Sequence, residues 1–293
     1  MSQAAHGAHV QFRQSSDYQQ ITVEPLTGLV GAEIFGVDLR QSLSDASMAE
    51  IQRALLEWKV IFFRDQDIST EDHLRFARWF GDLEVHPFAA FKEGYPEVLA
   101  ITHDENSPGR ENVWHSDVTW RLEPSLGSIL RAIEVPAYGG DTLFSDMAAA
   151  YQGLDDATKA KIEGRTARHD FGNFRTRMRK NGASDEEIEA FNAKYPNPSH
   201  PVVRTHPVTG EKSLYVNRAF TQCIEGIDPE ESSALLEHLY KQAAIPEYQC
   251  RFRWRQHSIA FWDNRAVQHY AAADYWPAKR QVERVTVCGD TPF

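Results

Sequence analysis

The chain has 293 residues, of which 42% are hydrophobic and 25% charged, a composition that is typical of a globular protein and excludes a disordered or fibrous chain. Its formal net charge is −11, because 31 Lys and Arg residues stand against 42 Asp and Glu residues. Such a surface repels nucleic acids and anionic lipids, so we expect neither a nucleic-acid partner nor a membrane role.

The cysteine content and the polarity of the N-terminus predict a cytoplasmic location. The three cysteines are too few and too scattered for a disulfide framework. The N-terminal segment has no apolar stretch like that of a signal peptide, and no run of about 18 apolar residues occurs. Residues 1–20 are polar and are predicted to be a flexible tail. No linker divides residues 21–293, which we interpret as a single domain.

The first part of the chain predicts short strands and two amphipathic helices. ITVEPL and LVGAEIFGVDL read as strands, residues 44–58 have apolar side chains at helical spacing, and VIFF reads as a buried strand. Ser69 and Thr70 offer capping groups for a helix over EDHLRFARWFG, which Gly81 would end.

Strands predominate in the rest of the chain, with helices inserted between them. Predicted strands include VLAITH, VWHSDVTW and SLGSILRAIEV, and later QCRFRW, SIAFWDN and QVERVTVCGD. Residues 146–195 read as largely helical, VVRTHPVTGEKSLYVN as a hairpin, and PEESSALLEHLYKQAA as a capped helix. The pattern predicts one β-core that is completed by distant segments.

One pair of residues has the spacing of metal ligands. His115 and Asp117 lie two apart in VWHSDVTW, and side chains at i and i+2 of a strand share a face. With a third ligand they would form the two-His-one-carboxylate triad of non-haem Fe(II) enzymes. The alternative is a surface pair that only forms hydrogen bonds. His103 and Glu105 have the same spacing but lie at a turn.

The third ligand and two anion-binding groups are sought near the C-terminus. His269 follows an apolar stretch in FWDNRAVQHYAAADY, although a lone histidine is more often structural. Arg280 and Arg284 follow in an otherwise acidic chain, and a guanidinium suits a bidentate grip on a carboxylate or sulfonate. Both arginines could equally be surface residues. Trp58, Trp79, Trp254 and Trp262 are predicted to lie in the core.

Four blocks in order resemble the taurine dioxygenase family of Fe(II)- and 2-oxoglutarate-dependent dioxygenases, which includes alkylsulfatase and aryloxyalkanoate dioxygenases. They are VWHSDVTW, GGDTLFSD, PVVRTHPVTGEKSLYVN and FWDNRAVQHYAAADY with the arginines that follow it. The resemblance implies a double-stranded β-helix, which is a cupin-like jelly roll flanked by helices. It also implies Fe(II), 2-oxoglutarate and O2 as cofactor and cosubstrates.

The resemblance further implies residue roles. His115, Asp117 and His269 match the iron ligands, and Thr142 with Arg280 matches the pair that binds the distal carboxylate of 2-oxoglutarate. The residues that match groups holding the anionic head and the organic part of the substrate are His86, Arg284, Phe174 and Phe220.

The implied reaction hydroxylates a small anionic substrate, such as a sulfonate like taurine or an alkyl sulfate. It releases succinate and CO2, and then an aldehyde with sulfite or sulfate. An aryloxyalkanoate or another carboxylate is the alternative substrate. A jelly-roll hydrolase or isomerase that does not use 2-oxoglutarate is a more distant one. Ala89 and Glu283 depart from the taurine-specific members and favour another substrate. Relatives suggest a homodimer or homotetramer.

Overall fold

The computed structural model describes residues 10, 12–87 and 90–293 and, within them, the backbone but not the side chains of residues 173 and 177. Its strands are β1 Thr22–Pro25, β2 Ala32–Phe35, β3 Val60–Phe63, β4 Phe91–Lys92, β5 Tyr95–His103, β6 Gly127–Glu134, β7 Thr142–Asp146, β8 Thr166–His169, β9 Ser199–Pro201, β10 Val203–Thr205, β11 Lys212–Leu214, β12 Thr221–Ile224, β13 Gln249–Phe252, β14 Ile259–Asp263, β15 Val267–Ala271 and β16 Arg280–Val287. Its α-helices are α1 Asp45–Trp58, α2 Thr70–Arg78, α3 Met147–Gln152, α4 Asp156–Ile162, α5 Gly172–Lys180, α6 Asp185–Lys194 and α7 Pro229–Tyr240.

Eight strands form the main sheet in the order β1-β2-β3-β14-β6-β16-β5-β4. Strands that are distant in sequence are neighbours here, since β14 lies between β3 and β6, and β16 between β6 and β5. The prediction that distant segments complete one β-core is therefore confirmed.

A second sheet, β13-β7-β15, packs on one face of the main sheet. The core between them contains Phe62 and Ala260 from the main sheet and Phe144 and Phe252 from the second sheet. The rings of Phe62 and Phe252 stack with centroids 4.0 Å apart. Two facing layers, antiparallel except for the parallel pair β2–β3, with helices outside form the predicted double-stranded β-helix, so the fold-class prediction is confirmed.

Helices α1 and α2 cover the opposite face of the main sheet. Ser44 caps α1, whose buried residues Ile51, Leu55 and Trp58 follow helical spacing and join the core beneath the sheet. Ser69 and Asp72 form a capping box at the start of α2, as the capping residues predict. That helix ends at Arg78, three residues before the predicted stop. No helix in the described part of the chain is long and apolar enough to cross a membrane.

Residues 12–20, which belong to the predicted flexible tail, make polar contacts with the rest of the domain. This segment has no regular secondary structure, but its polar groups bond to the domain. The Arg13 guanidinium lies 3.3 Å from Asp146 and 3.1 Å from Glu211, and the backbone amides of residues 19–21 donate to the Glu50 carboxylate. Ion pairs and amide hydrogen bonds therefore hold a segment that has few apolar residues. Residues 1–9 and 11 lie outside the described residues.

Candidate active site

The two predicted histidine ligands meet across a single backbone bridge. His115 and His269 exchange both backbone hydrogen bonds, at 3.1 and 2.8 Å, so that the segment of His115 lies beside β15. The predicted strand over 113–120 is wrong beyond this bridge, because residues 117–120 form a turn in which Val118 has a φ of 48°. His269 follows the apolar strand β14, as predicted, but lies inside β15, a short strand that is absent from the sequence predictions.

The side chains of His115, Asp117 and His269 nevertheless converge. The Nε2 atoms of the two histidines lie 3.8 and 3.9 Å from Asp117 Oδ1, and the three side chains each offer a ligand atom within 4.8 Å of the others. All three residues are buried. The spacing of these atoms is suited to a single metal ion held by two imidazoles and one carboxylate.

The protonation of these groups fits a divalent cation. The Nδ1 atom of His115 donates to the carbonyl oxygen of Val113 at 2.7 Å, which orients the ring and leaves Nε2 as the atom on the side of Asp117. Burial lowers the pKa of His269 to about 3, which keeps this imidazole neutral and able to ligate. For Asp117, burial is the largest single influence and opposes ionisation, but Arg284, the two neighbouring histidines and the Ser128 hydroxyl together outweigh it and hold the pKa of the carboxyl well below its usual range.

A cavity of about 70 Å³ opens beside the two histidine ligands, and both predicted 2-oxoglutarate residues line it. Thr142 and Arg280 line it together with His115 and His269. The Arg280 side chain is buried, its Nε atom has no hydrogen-bond partner among the described residues, and burial lowers the pKa of its guanidinium. A desolvated guanidinium without a carboxylate partner is suited to receive an anionic ligand.

Arg284 also lines this cavity and is held by Asp117, whose Oδ1 accepts a hydrogen bond of 2.9 Å from its Nη1. His86 lies within the electrostatic influence of Arg284 and Arg121, and its pKa is lowered to about 4 by burial and by these two charges. The imidazole is therefore neutral near pH 7. Arg121 forms a buried ion pair of 2.8 Å with Glu84, a pair that the sequence reasoning did not single out.

Aromatic rings extend outward from the histidine ligands. The ring of Phe220 lies 6.3 Å from that of His115 and 5.8 Å from that of Phe171. Phe171 stacks on Trp120 at 5.0 Å and on Phe174 at 5.3 Å. The structure thus brings Phe220 to the ligands, while Phe174 lies further out along the same wall. Phe171 is missing from the predictions because a single phenylalanine in a loop carries no spacing signal.

The other residues that the sequence reasoning weighed have different surroundings. His103 pairs with Glu111 at 3.2 Å, not with Glu105. Glu283 points away from the cavity, because it alternates with Arg284 along β16, and it forms buried ion pairs with Arg131 and Lys92. This residue therefore carries no information about substrate choice. Ala89 lies outside the described residues.

The predicted core tryptophans divide into three groups. Trp58 is buried in the core beneath the main sheet, as predicted, whereas Trp79 is 40% exposed and that prediction is wrong. Trp254 and Trp262 are buried but also border the site. The ring of Trp262 lies 4.9 Å from that of His269, and the indole N–H of Trp254 donates to Thr142 Oγ1 at 2.9 Å.

A family model described as taurine catabolism dioxygenase TauD, TfdA family matches residues 22–286. The chain belongs to this family. It is 35% identical over 278 residues to an alpha-ketoglutarate-dependent sulfate ester dioxygenase of Pseudomonas putida, covering 93% of this chain and 91% of that one. It is 33% identical over 275 residues to an (S)-phenoxypropionate/alpha-ketoglutarate-dioxygenase of Sphingobium herbicidovorans, covering 92% and 95%.

The crystal structure of a taurine dioxygenase from Burkholderia xenovorans is similar, with a TM-score of 0.80 and 39% identity over 94% of this chain and 91% of that one. The TauD, TfdA family is defined by 2-oxoglutarate-dependent dioxygenases, which use Fe(II), 2-oxoglutarate and O2. The predicted enzyme class and cofactors are therefore confirmed, and the hydrolase or isomerase alternative is not supported.

Proposed function

We propose that this TauD, TfdA family enzyme hydroxylates the carbon next to the sulfur-containing group of a small organic sulfonate or sulfate ester. The reaction consumes 2-oxoglutarate and O2 and yields succinate, CO2 and a hydroxylated carbon, from which an aldehyde forms as sulfite or sulfate departs with its bonding electrons and the hydroxyl proton is lost. The single observation that supports it best is one cavity lined by both histidines of the ligand triad and by both arginines, with the third ligand, Asp117, bonded to Arg284.

We assign the metal to His115, Asp117 and His269. The convergence of their ligand atoms within 4.8 Å and the neutral imidazole of His269 support this assignment. Three protein ligands would leave positions open on a bound Fe(II), which would supply the O2-activating chemistry of the reaction. Ser128 donates a hydrogen bond of 2.8 Å to Asp117 Oδ2, so the other oxygen, Oδ1, is turned toward the histidines.

We assign the distal carboxylate of 2-oxoglutarate to Arg280 and Thr142. The supporting observation is that the Arg280 guanidinium is buried in the ligand cavity without an ion-pair partner among the described residues. A carboxylate would restore the hydrogen bonds and the counter-charge that burial removes from this side chain.

We assign the anionic head of the substrate to Arg284, with neutral His86 as a hydrogen-bonding partner. Arg284 contacts the ligand carboxylate of Asp117, so an anion bound to it would lie next to the metal. The rings of Phe220, Phe171 and Phe174 would cover the organic part of the substrate and favour an apolar chain or ring over the charged amine of taurine.

An aryloxyalkanoate is the second candidate, because a carboxylate also fits Arg284 and the relative from Sphingobium herbicidovorans is named for phenoxypropionate. Initial rates of succinate formation over alkyl sulfates, alkanesulfonates, taurine and phenoxypropionates distinguish the candidates. A higher kcat/KM for a sulfate ester or sulfonate than for any phenoxy acid supports the proposal. The opposite order favours the second candidate, and no succinate with either class contradicts both.

We further propose that residues 21–293 act as one catalytic domain in the cytoplasm, as a homodimer or homotetramer. Strands from both ends of the chain share one sheet, and the three cysteines are free, which supports a single domain and a reducing compartment. Light scattering coupled to size-exclusion chromatography measures the oligomeric state.

A further inference from the structure

Trp254 joins the two side chains that we assign to the distal carboxylate of 2-oxoglutarate. Its indole N–H donates a hydrogen bond of 2.9 Å to Thr142 Oγ1. The Arg280 guanidinium carbon lies over the face of the same indole, 5.7 Å from the ring centroid. One side chain therefore contacts both groups, although nothing in its sequence surroundings distinguishes it from a core tryptophan.

The first contact restricts the direction of the Thr142 hydroxyl hydrogen, because this hydrogen cannot point at the indole N–H. A threonine hydroxyl has one hydrogen to donate and accepts through its lone pairs. Because the indole N–H of Trp254 occupies a lone pair of Thr142, the hydroxyl hydrogen is left to donate elsewhere, and Thr142 lines the ligand cavity beside Arg280. Without the indole N–H, the hydroxyl could rotate and offer the cavity a lone pair, which repels a carboxylate.

The second contact holds a buried cation. Arg280 has no carboxylate partner among the described residues, and the indole face of Trp254 offers it an attractive surface in a desolvated setting. The ring of Tyr275 lies on Arg280 as well, at 6.0 Å. A Cβ at Gly140, where φ is 70°, would meet Tyr275 at 3.1 Å and Arg280 at 3.3 Å. The packing around the Arg280 side chain therefore leaves no room for a side chain at this position.

The indole itself is held in place. Trp254 follows the end of β13, where Phe252 pairs with Thr142 at the start of β7. The Phe252 ring packs edge-on against the indole at 4.9 Å, and both residues are buried in the core between the two sheets. A fixed indole can orient its neighbours without loss of its own freedom on ligand binding.

We propose that Trp254 is a positioning residue for 2-oxoglutarate, which sets the Thr142 hydroxyl and the Arg280 guanidinium to receive its distal carboxylate. The proposal rests on the cosubstrate assignment made above. It predicts that loss of the Trp254 indole weakens the binding of 2-oxoglutarate selectively, because only ligands that carry the distal carboxylate use Thr142 and Arg280.

The test is an anaerobic titration of the Fe(II)-loaded protein, followed by the visible charge-transfer band of the bound 2-oxo acid. Two ligands are compared, 2-oxoglutarate and 2-oxopentanoate, which has the same carbon chain without the distal carboxylate. For Trp254→Phe, which keeps a ring but removes the N–H, we expect the Kd of 2-oxoglutarate to rise about three- to tenfold, the worth of one hydrogen bond. The Kd of 2-oxopentanoate should stay within about twofold.

Trp58→Phe is the matched control, because Trp58 is equally buried and its indole N–H has no partner among the described residues. It should leave both dissociation constants unchanged. Unchanged 2-oxoglutarate binding in Trp254→Phe would overturn the proposal, as would an equal loss for both ligands or an equal loss in Trp58→Phe. If the wild-type protein gives no band with 2-oxoglutarate, the cosubstrate assignment itself fails, and the proposal with it.

Discussion

Replacement of Arg284 by methionine tests how the metal-free site balances its charges. The Arg284 and Asp117 side chains are 16% and 6% exposed and form an ion pair of 2.9 Å. Arg284→Met keeps most of the aliphatic stem but leaves a buried carboxylate without its cation. Loss of one partner of a buried pair costs about 3–5 kcal/mol. The Ser128 hydroxyl still donates to this carboxylate, so we expect the low end, about 3 kcal/mol.

The assay is thermal unfolding of metal-free protein with and without Mn(II), a redox-stable substitute for Fe(II). At about 2 °C per kcal/mol for a chain of this size, Arg284→Met should lower the Tm of the metal-free protein by about 6 °C. Saturating Mn(II) should remove most of this difference, because the carboxylate regains a cationic partner. Arg78→Met is the control, since its pair with Glu97 is exposed and contributes at most about 1 kcal/mol. A metal-free Tm within about 2 °C of wild type, or a deficit that Mn(II) leaves unchanged, would refute the reasoning.

Three further predictions concern cosubstrate binding, pH and substrate size. Arg280→Ala should raise the KM for 2-oxoglutarate about 100-fold or more through loss of charge-assisted hydrogen bonds, with little change in substrate KM, as measured by succinate formation; equal effects on both would contradict the assignment. Burial lowers the pKa of His73 to about 3, so the unfolded chain binds one more proton than the folded protein between about pH 6.5 and 3, and stability falls as pH falls through this range. The measurement is the free energy of unfolding of the metal-free protein in urea, followed as a function of pH. His73→Gln should reduce the slope of this free energy against pH by about 1.4 kcal/mol per pH unit, and an unchanged slope would show that this histidine is protonated in the folded protein. Phe171→Ala should widen the aromatic wall and shift the kcat/KM optimum toward bulkier substrates, whereas an unshifted optimum would place the organic part of the substrate elsewhere.

Sequence patterns predict those elements whose own residues carry the structural signal. The capped helices α1 and α2 and the apolar strand β3 are examples, because apolar spacing and capping groups act within a few residues of chain. The strand β15 cannot be predicted in this way, because its five residues mix polar and apolar side chains. It is buried through its contacts with β7, which lies more than a hundred residues earlier in the chain. Its pairing is decided by tertiary packing.

In the candidate site, too, some residues can be predicted from local sequence and others only from contacts across the fold. Spacing alone makes His115 and Asp117 a candidate pair, although a turn rather than a strand brings them together. His269 and Arg280 are candidates from their sequence context, the family resemblance adds Thr142, and the structure brings all three into one cavity. Contacts across the fold, such as that between Trp254 and Thr142, are invisible in the sequence because 112 positions separate the two residues.

The alternation of side chains along β16 has a consequence for how two anions share one cavity. Arg280 and Arg284 lie on the same face of a strand that is bonded on both sides, to β5 and β6. At about 3.3 Å per residue their backbone positions are about 13 Å apart, and neither can slide relative to the other. With the ligand assignments proposed above, this strand would hold the charged ends of cosubstrate and substrate apart and so limit their repulsion. New substrates can be accommodated by changes in the aromatic wall while this distance stays constant.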